Sequence, residues 1–305
     1  MTPVSPGSGG RLHDEGGPRL LGPDRSPGAL PPEALSPEAL GAWLDALADR
    51  YERPAFVHDD PVSVPRSFDA PDDQETMGLF AALLAWGRRS VILAKLADLS
   101  ERMDGRPAAF VRGFRAGRDA DRLRGFKHRT FNGDDAVALV LAVQAALDAY
   151  GSLGALFASG LPPGAPDVGP AIQHFSDTLS AIVPEAPVRS KHLARPSTGS
   201  ACKRVAMYAR WMVRPGPVDL ALWSGVRPDQ LVVPLDVHTG RQARRLGLLA
   251  RPTDDWRAAM ELTAACRALS PADPVRYDFA LFGLGAYGGA RLPGDPEEPR
   301  RPGRV

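Results

Sequence analysis

The chain has 305 residues, of which 44% are hydrophobic, and its formal net charge is +1. This length allows one large domain or two smaller ones, and its two cysteines are too few for a disulfide framework, a structural zinc site or an iron–sulfur cluster. No apolar run approaches the roughly 20 residues that span a membrane, and the N-terminus lacks a secretory signal, so we expect a cytoplasmic protein without membrane association.

Composition divides the chain into three parts. Residues 1–33 are rich in Gly, Pro and Ser, and residues 293–305 combine prolines with charges. Such segments have too little apolar surface for a core, which predicts a disordered tail at each end. The predicted folded domain is therefore 34–292.

Helical patterns dominate this domain. Ser36 before Pro37 predicts the start of a first helix. The apolar segment 73–103 predicts helices that Gly87 and Ser90 divide. A third pattern begins at "NGDD" and breaks near Gly151. The later helical patterns are "PAIQHFSDTLSAIV", "GSACKRVAMYARWMV", "DVHTGRQARRLGLL", "PTDDWRAAMELTAACRAL" and "DPVRYDFALFGLGAYG". Alternating runs are short and contain prolines, so the predicted class is all-α, with about eight to ten helices.

Basic residues are concentrated between Arg189 and Arg251. This segment holds twelve Lys and Arg against three Asp and Glu, a local balance of +9, which leaves −8 for the remainder. The pattern predicts either a local anion-binding face or separate solvated helix faces, and it leaves both interpretations open.

Common catalytic and metal-binding motifs are absent from the sequence. The six histidines are scattered without a metal-binding spacing, and no glycine-rich phosphate loop, paired C-x-x-C or G-x-S-x-G occurs. We therefore expect no metal and no cofactor.

Two stretches remain as candidates for chemistry. In "RPSTGSACKRVAMYARWMV", a turn that offers backbone N–H groups to an anion precedes a helix with Lys203 near its start. A surface lysine on a helix face is the plain alternative. In "VVPLDVHTGRQARRLGLL", Asp236 stands at a helix start, where an N-cap is worth about 1 kcal/mol. Arg241, Arg244 and Arg245 follow about one turn later, as phosphate-binding residues do.

The second stretch resembles the helix that follows the catalytic aspartate in helix–hairpin–helix DNA glycosylases, and "PSTGSACKRVAMYARW" resembles their hairpin-plus-lysine element. The lysine lies four residues past the glycine instead of two. The spacing from Lys203 to Asp236 is closest to that of an archaeal 8-oxoguanine glycosylase branch. The chain also resembles a bacterial family of unknown function, through these motifs and through "AFVHDDPVSVP", "LFAALLAWGRRSVI", "FKHRTFNGDD" and "DPVRYDFALFGLG".

The glycosylase resemblance implies a two-lobed helical fold and base-excision repair of double-stranded DNA, with a damaged base flipped from the duplex. Lys203 would attack the sugar, and Asp236 would assist departure of the base, as in a DNA N-glycosylase or AP lyase. No iron–sulfur cluster is expected, because the region after "ALFGLG" has no cysteines. His128 and Arg129 would line the pocket. The expected DNA contacts are Ser197, Thr198, Gly199, Ser200, Arg204, His238, Arg241 and Arg244.

Two other functions remain open. One is a nucleic-acid-binding helical module without catalysis. The other is a helical enzyme that uses the same basic face on a small anionic substrate. The sequence indicates no oligomeric state.

Overall fold

The computed structural model describes residues 36–287, which form thirteen α-helices and one two-residue-per-strand β-hairpin. The all-α prediction is confirmed. The helices outnumber the expected eight to ten because short helices of four to nine residues, which span only one to three turns, fill several connections. The predicted tails, 1–33 and 293–305, lie outside the described residues.

The N-terminal half begins at the predicted cap, where the Ser36 hydroxyl accepts a hydrogen bond from the Ala39 amide at 3.2 Å. The predicted division of 73–103 is confirmed at Gly87, which has a φ of +115° between two helices, whereas Ser90 lies within the second of them. The first six helices are α1 (Pro37–Tyr51), α2 (Ser63–Arg66), α3 (Pro71–Leu84), α4 (Arg89–Arg102), α5 (Pro107–Gly113) and α6 (Ala116–Arg124).

A small antiparallel hairpin then leads into the central helices. Its strands pair Lys127 with Asn132 and His128 with Phe131. Asn132 and Asp135 form a reciprocal capping box for the next helix, which ends at the predicted break, Gly151. The elements are β1 (Lys127–His128), β2 (Phe131–Asn132), α7 (Gly133–Tyr150), α8 (Leu153–Ser159) and α9 (Gly169–Ala181).

The C-terminal helices carry the candidate residues. The cap before the twelfth helix is Asp255, which accepts from the Ala258 amide at 3.0 Å, so this helix begins slightly later than the predicted start at Thr253. The last four helices are α10 (Lys203–Val213), α11 (Val237–Arg245), α12 (Trp256–Leu269) and α13 (Asp278–Tyr287).

Helix α10 runs through the core, where every residue from Val205 to Val213 is buried. It packs against α3, and α11 packs against α13. Gly78 permits the close approach of α3, because a Cβ there would lie 2.6 Å from the Met212 side chain. The first turn of α10 therefore emerges from the core beside α11 and α13.

Within residues 36–287, no single helix has the length and apolar character needed to cross a membrane. The pair Gly133–Tyr150 and Leu153–Ser159 meets the criterion only when taken together, with a bend of 71° between its members.

Candidate active site

The structure brings Lys203 and Asp236 together. Lys203 is the first residue of α10 and Asp236 is the N-cap of α11, and their Nζ and Oδ2 atoms are 3.7 Å apart. Both side chains are accessible, with exposed fractions of 29% and 28%. An amine and a carboxylate that are 33 positions apart in sequence thus share one solvent-accessible location.

The two oxygens of Asp236 have different partners. Oδ1 accepts hydrogen bonds from the amides of His238 at 2.9 Å and Thr239 at 3.0 Å, which is the geometry of an N-cap. Oδ2 is the atom that approaches Lys203. The cap therefore holds the carboxylate in place while one oxygen remains directed at the amine.

These two residues line a cleft, here called the Lys203 cleft, that holds about 40 Å³ of water-accessible space. Since one water needs roughly 10–15 Å³, the cleft as it stands accommodates a few water molecules. Its lining combines three carboxylates, two cations and several large apolar side chains: Asp60, Lys203, Met207, Arg210, Trp211, Asp236, Thr239, Asp278, Phe279 and Phe282.

Asp60 and Asp278 are site residues that the sequence interpretation did not identify. Asp60 lies in the connection between α1 and α2, and Asp278 is the first residue of α13. Burial raises the pKa of both carboxyl groups above the ordinary range for aspartate. The segments "AFVHDDPVSVP" and "DPVRYDFALFGLG" contain them, but nothing in their local pattern indicates a shared cleft.

Arg210 lines the cleft, and its guanidinium is hydrogen-bonded to three acidic side chains of the protein. Its guanidinium donates to Asp278 at 2.7 Å and to Asp219 and Glu52 at 3.3 Å, and it lies 4.2 Å from the centre of the Phe279 ring. Lys203 is therefore the cation of the cleft whose polar head is accessible, and the lining as a whole is rich in hydrogen-bond acceptors.

The predicted phosphate-binding turn is already hydrogen-bonded internally. The Ser197 amide donates to Gln173 Oε1 at 3.0 Å, and the amides of Thr198 and Gly199 donate to backbone carbonyls at 3.2 and 2.9 Å. Ser200 forms an isolated bridge with Asp255. Gly199, with a φ of +79°, turns the chain toward α10. Three amides of the turn are thus already hydrogen-bonded, and its role as a phosphate site stays a prediction.

The basic segment is largely neutralised by acids from other parts of the chain. Eight of its twelve cations form ion pairs within 4.0 Å, namely Arg189, Arg195, Lys203, Arg210, Arg214, Arg227, Arg244 and Arg251. Arg204 and Lys191 donate instead to backbone carbonyls. Most of the excess positive charge in this segment is therefore paired within the fold and is not free to bind an anion.

The candidate DNA contacts on α11 divide into two groups. Arg244 is engaged, donating to the Arg251 carbonyl at 2.7 Å and to Asp254 at 2.6 Å. His238, Arg241 and Arg245 are exposed. Among the described residues, neither Arg241 nor Arg245 has a hydrogen-bond or ion-pair partner. Arg241 and Arg245 thus place positive charge on the outer face of α11, beside the cleft.

His128 and Arg129 do not line the Lys203 cleft. His128 is buried, its Nε2 lies 3.1 Å from the Trp86 carbonyl, and burial lowers its pKa. The Arg129 guanidinium lies 4.8 Å from the centre of the Trp86 ring. Through these contacts the β-hairpin packs against the loop between α3 and α4.

A larger groove, of about 510 Å³, lies between α4, α5 and α6 and contains none of the predicted site residues. Two of its arginines are paired, Arg118 with Asp119 and Arg122 with Asp104. We therefore place the candidate chemistry in the smaller Lys203 cleft, where an amine and a carboxylate meet.

The described part of the chain contains no group of three or more His, Cys, Asp or Glu side chains arranged to hold a metal ion. Cys202 and Cys266 are both buried, and burial raises the pKa of each thiol to about 12. A thiolate nucleophile is therefore disfavoured at either position.

Residues 60–287 match the sequence model of a family described as "Protein of unknown function (DUF2400)". No curated protein and no solved structure matches the chain. A helix–hairpin–helix glycosylase is thus not among the matches, and the resemblance to those enzymes stays a prediction. The family match covers most of the chain and all of the Lys203 cleft. The protein therefore belongs to the DUF2400 family.

Proposed function

We propose that the protein is a DNA base-excision enzyme, a glycosylase with lyase activity, that acts on a damaged base turned out of the duplex. The observation that carries this proposal is the 3.7 Å approach of Lys203 Nζ to Asp236 Oδ2 in an accessible cleft. An amine nucleophile beside a fixed carboxylate is the arrangement that this chemistry requires.

The proposed reaction uses the two side chains in different roles. The free amine of Lys203 forms a bond to the sugar C1′ as the bond from C1′ to the base nitrogen breaks, and the base leaves with the electron pair. The departing base takes up a proton from water. The sugar ring then opens as one Nζ proton passes to O4′, which leaves a protonated imine between Nζ and C1′. Asp236 stabilises the positive charge that develops on the sugar, and its two amide contacts hold the carboxylate in position for this task.

The surroundings of the cleft also support DNA as the substrate. Arg241, Arg245 and His238 are exposed on α11, the helix that Asp236 caps, and exposed arginines bind the phosphate backbone. The aromatic rings of Phe279 and Phe282 line the cleft, where a planar base would stack. Because the cleft is narrow, the proposal requires its side chains to move apart when the base enters.

A small anionic substrate fits this cleft less well. Three carboxylates line it, and the Arg210 guanidinium is already bound to acids of the protein. An anion there would be repelled by the carboxylates and would find Lys203 as its principal cationic partner. We also propose that the helical domain is a variant of the helix–hairpin–helix glycosylase fold, in which the turn before Lys203 replaces the usual hairpin.

The experiment is covalent trapping on DNA. Duplexes that carry an abasic site or an oxidised purine are incubated with the protein and sodium borohydride, which reduces an imine to a stable adduct. The wild-type protein should form an adduct that maps to Lys203 by peptide mass spectrometry. Lys203→Arg, which keeps the positive charge but cannot form this imine, should bind DNA without an adduct.

Lys127→Ala is the matched control, because Lys127 is an exposed lysine outside the cleft. It should form the adduct at the wild-type rate. Salt-sensitive binding by the wild type without any adduct would support the non-catalytic binding module instead. Absence of DNA binding at low salt would overturn both functions.

A further inference from the structure

The Lys203 cleft contains two carboxylates beyond the Lys203–Asp236 pair, and the proposed base-release step uses neither. Asp60 reaches the cleft from the connection before α2, and Asp278 reaches it from the start of α13. Their different bonding partners distinguish what each of them can do.

Asp278 is bound by a strong partner. Its Oδ2 accepts a hydrogen bond from Arg210 at 2.7 Å, in a network that also includes Asp219 and Glu52. Burial raises the pKa of this carboxyl group, but proton uptake by Asp278 would remove the counter-charge of a buried guanidinium and disrupt the network. Asp278 therefore fits a structural role at the wall of the cleft.

Asp60 has a different environment. One of its oxygens, Oδ1, accepts a hydrogen bond from the Val62 amide at 3.1 Å. Among residues 36–287, no Lys, Arg or His nitrogen lies within 4.0 Å of its carboxylate. The carboxylate thus lines the cleft and, within the part of the chain that the structure describes, has no ion-pair partner, unlike Asp236 and Asp278.

The carboxylates of Asp236 and Asp278 share the cleft with Asp60, and the cations that act on it come from two helices. Arg89 of α4 and Lys203 and Arg210 of α10 act on its carboxylate at longer range, and each lowers its pKa. Burial outweighs these contributions, so that the net pKa is raised. A carboxylate that is partly removed from water and not ion-paired is a stronger base than an exposed one.

We propose that Asp60 is a further catalytic residue, the base that removes a proton from the sugar in the strand-cleaving step. This inference rests on the proposed function, since it requires the imine between Lys203 and C1′. Asp60 and Lys203 line the same cleft, so the sugar held by Lys203 would lie next to the Asp60 carboxylate.

The proposed step is a β-elimination. The C2′–H bond breaks, its proton goes to the Asp60 carboxylate, and its electron pair forms the C1′=C2′ bond of an enamine. The C3′–O bond then breaks and the 3′ phosphate leaves with the electron pair of that bond. The C1′=C2′ pair forms the C2′=C3′ bond, and the nitrogen lone pair restores the imine. No oxidant, reductant or further reactant is needed.

The test separates imine formation from strand cleavage on a duplex with a preformed abasic site. Asp60→Asn keeps an oxygen that can accept from the Val62 amide, so the local turn should be preserved. This variant should form the borohydride adduct at the wild-type rate, whereas strand incision without borohydride should slow by about 100-fold, the ordinary contribution of a general base. Its incision rate should also lack the loss at low pH that protonation of Asp60 causes in the wild type.

Asp59→Asn is the matched control. Asp59 is the adjacent residue, but its side chain is 74% exposed and contacts His58 on the surface, so both reactions should remain at the wild-type rate. Incision by Asp60→Asn at the wild-type rate would overturn the proposed role of Asp60 and leave the proposed function intact. A parallel loss of adduct and incision would also overturn it, because Asp60 would then be needed before elimination. Absence of an adduct with the wild type would overturn both proposals.

Discussion

Arg210 donates a hydrogen bond to Asp278 at 2.7 Å, and this contact joins the Lys203 cleft to a buried ionic network. The guanidinium is 1% exposed and also contacts Glu52 and Asp219. Arg214 pairs with the same two acids. The network connects the end of α1, helix α10 and the start of α13, and the last two of these elements line the cleft.

Arg210→Met should destabilise the protein by about 3–5 kcal/mol, because it leaves buried carboxylates without their counter-charge. Urea unfolding followed by circular dichroism measures this change. The matched control is Arg124→Met, which removes a solvent-exposed ion pair with Asp121 and should have little effect on stability. If the two substitutions lowered the free energy of unfolding equally, the buried network would not stabilise the protein more than a surface ion pair does.

Substitutions of Asp236 should separate its two functions. Asp236→Asn keeps an oxygen for the amides of His238 and Thr239, so the free energy of unfolding should stay near the wild-type value. Asp236→Ala removes the cap and should cost about 1 kcal/mol. Both variants should lose excision of a damaged base, because each lacks the negative charge. Full excision by Asp236→Asn would show that the carboxylate serves only as a cap.

Two arginines on α11 provide a matched pair for DNA binding. Arg241→Ala should weaken binding to all duplex sequences and reduce the slope of log K against log salt by about 1, since one phosphate contact is lost. Its stability should be unchanged, because this side chain is exposed.

Arg244→Ala should instead lower stability, because it removes contacts to Asp254 and to the Arg251 carbonyl. Fluorescence anisotropy over a series of salt concentrations, combined with thermal unfolding, distinguishes the two variants. An unchanged salt slope for Arg241→Ala would remove the outer face of α11 from the proposed DNA interface.

The two cysteines should be inert to thiol reagents in the folded protein. Burial raises the pKa of Cys202 and Cys266 to about 12, so at pH 8 neither forms the reactive thiolate in quantity. An aromatic disulfide reagent should therefore titrate two thiols per chain only after unfolding. Rapid modification of the native protein would contradict the buried positions of both side chains.

These thiols also predict a pH dependence of stability. Their folded-state pKa values exceed the ordinary value of about 8.5, so the folded state retains the protons to higher pH. The stabilising contribution is complete below pH 8.5 and declines as pH rises toward 12. Above pH 8.5, the unfolding free energy of the wild type should therefore fall more steeply than that of the double variant Cys202→Ser, Cys266→Ser, which lacks both thiols.

Much of the helical framework could be predicted from local sequence. Ser36 and Asp236 act as the predicted N-caps, and Gly87 and Gly151 mark the predicted breaks. Caps and positive-φ turns depend on residues within a few positions, which explains why local patterns identify them. The short helices α2, α5 and α6 were missed because four to nine residues are fewer than the window over which a helical pattern is recognised.

The candidate site depends on contacts that no local pattern contains. By itself, the sequence determined the helical class, the cap at Asp236 and the presence of a lysine and an aspartate in suitable local settings. Only the tertiary structure decided that Lys203 lies 3.7 Å from Asp236, that Asp60 and Asp278 share their cleft, and that Arg204 and Arg244 are occupied within the protein. The physical reason is that charge pairing and desolvation depend on distances between side chains that are far apart in the chain, and packing of the helices sets those distances.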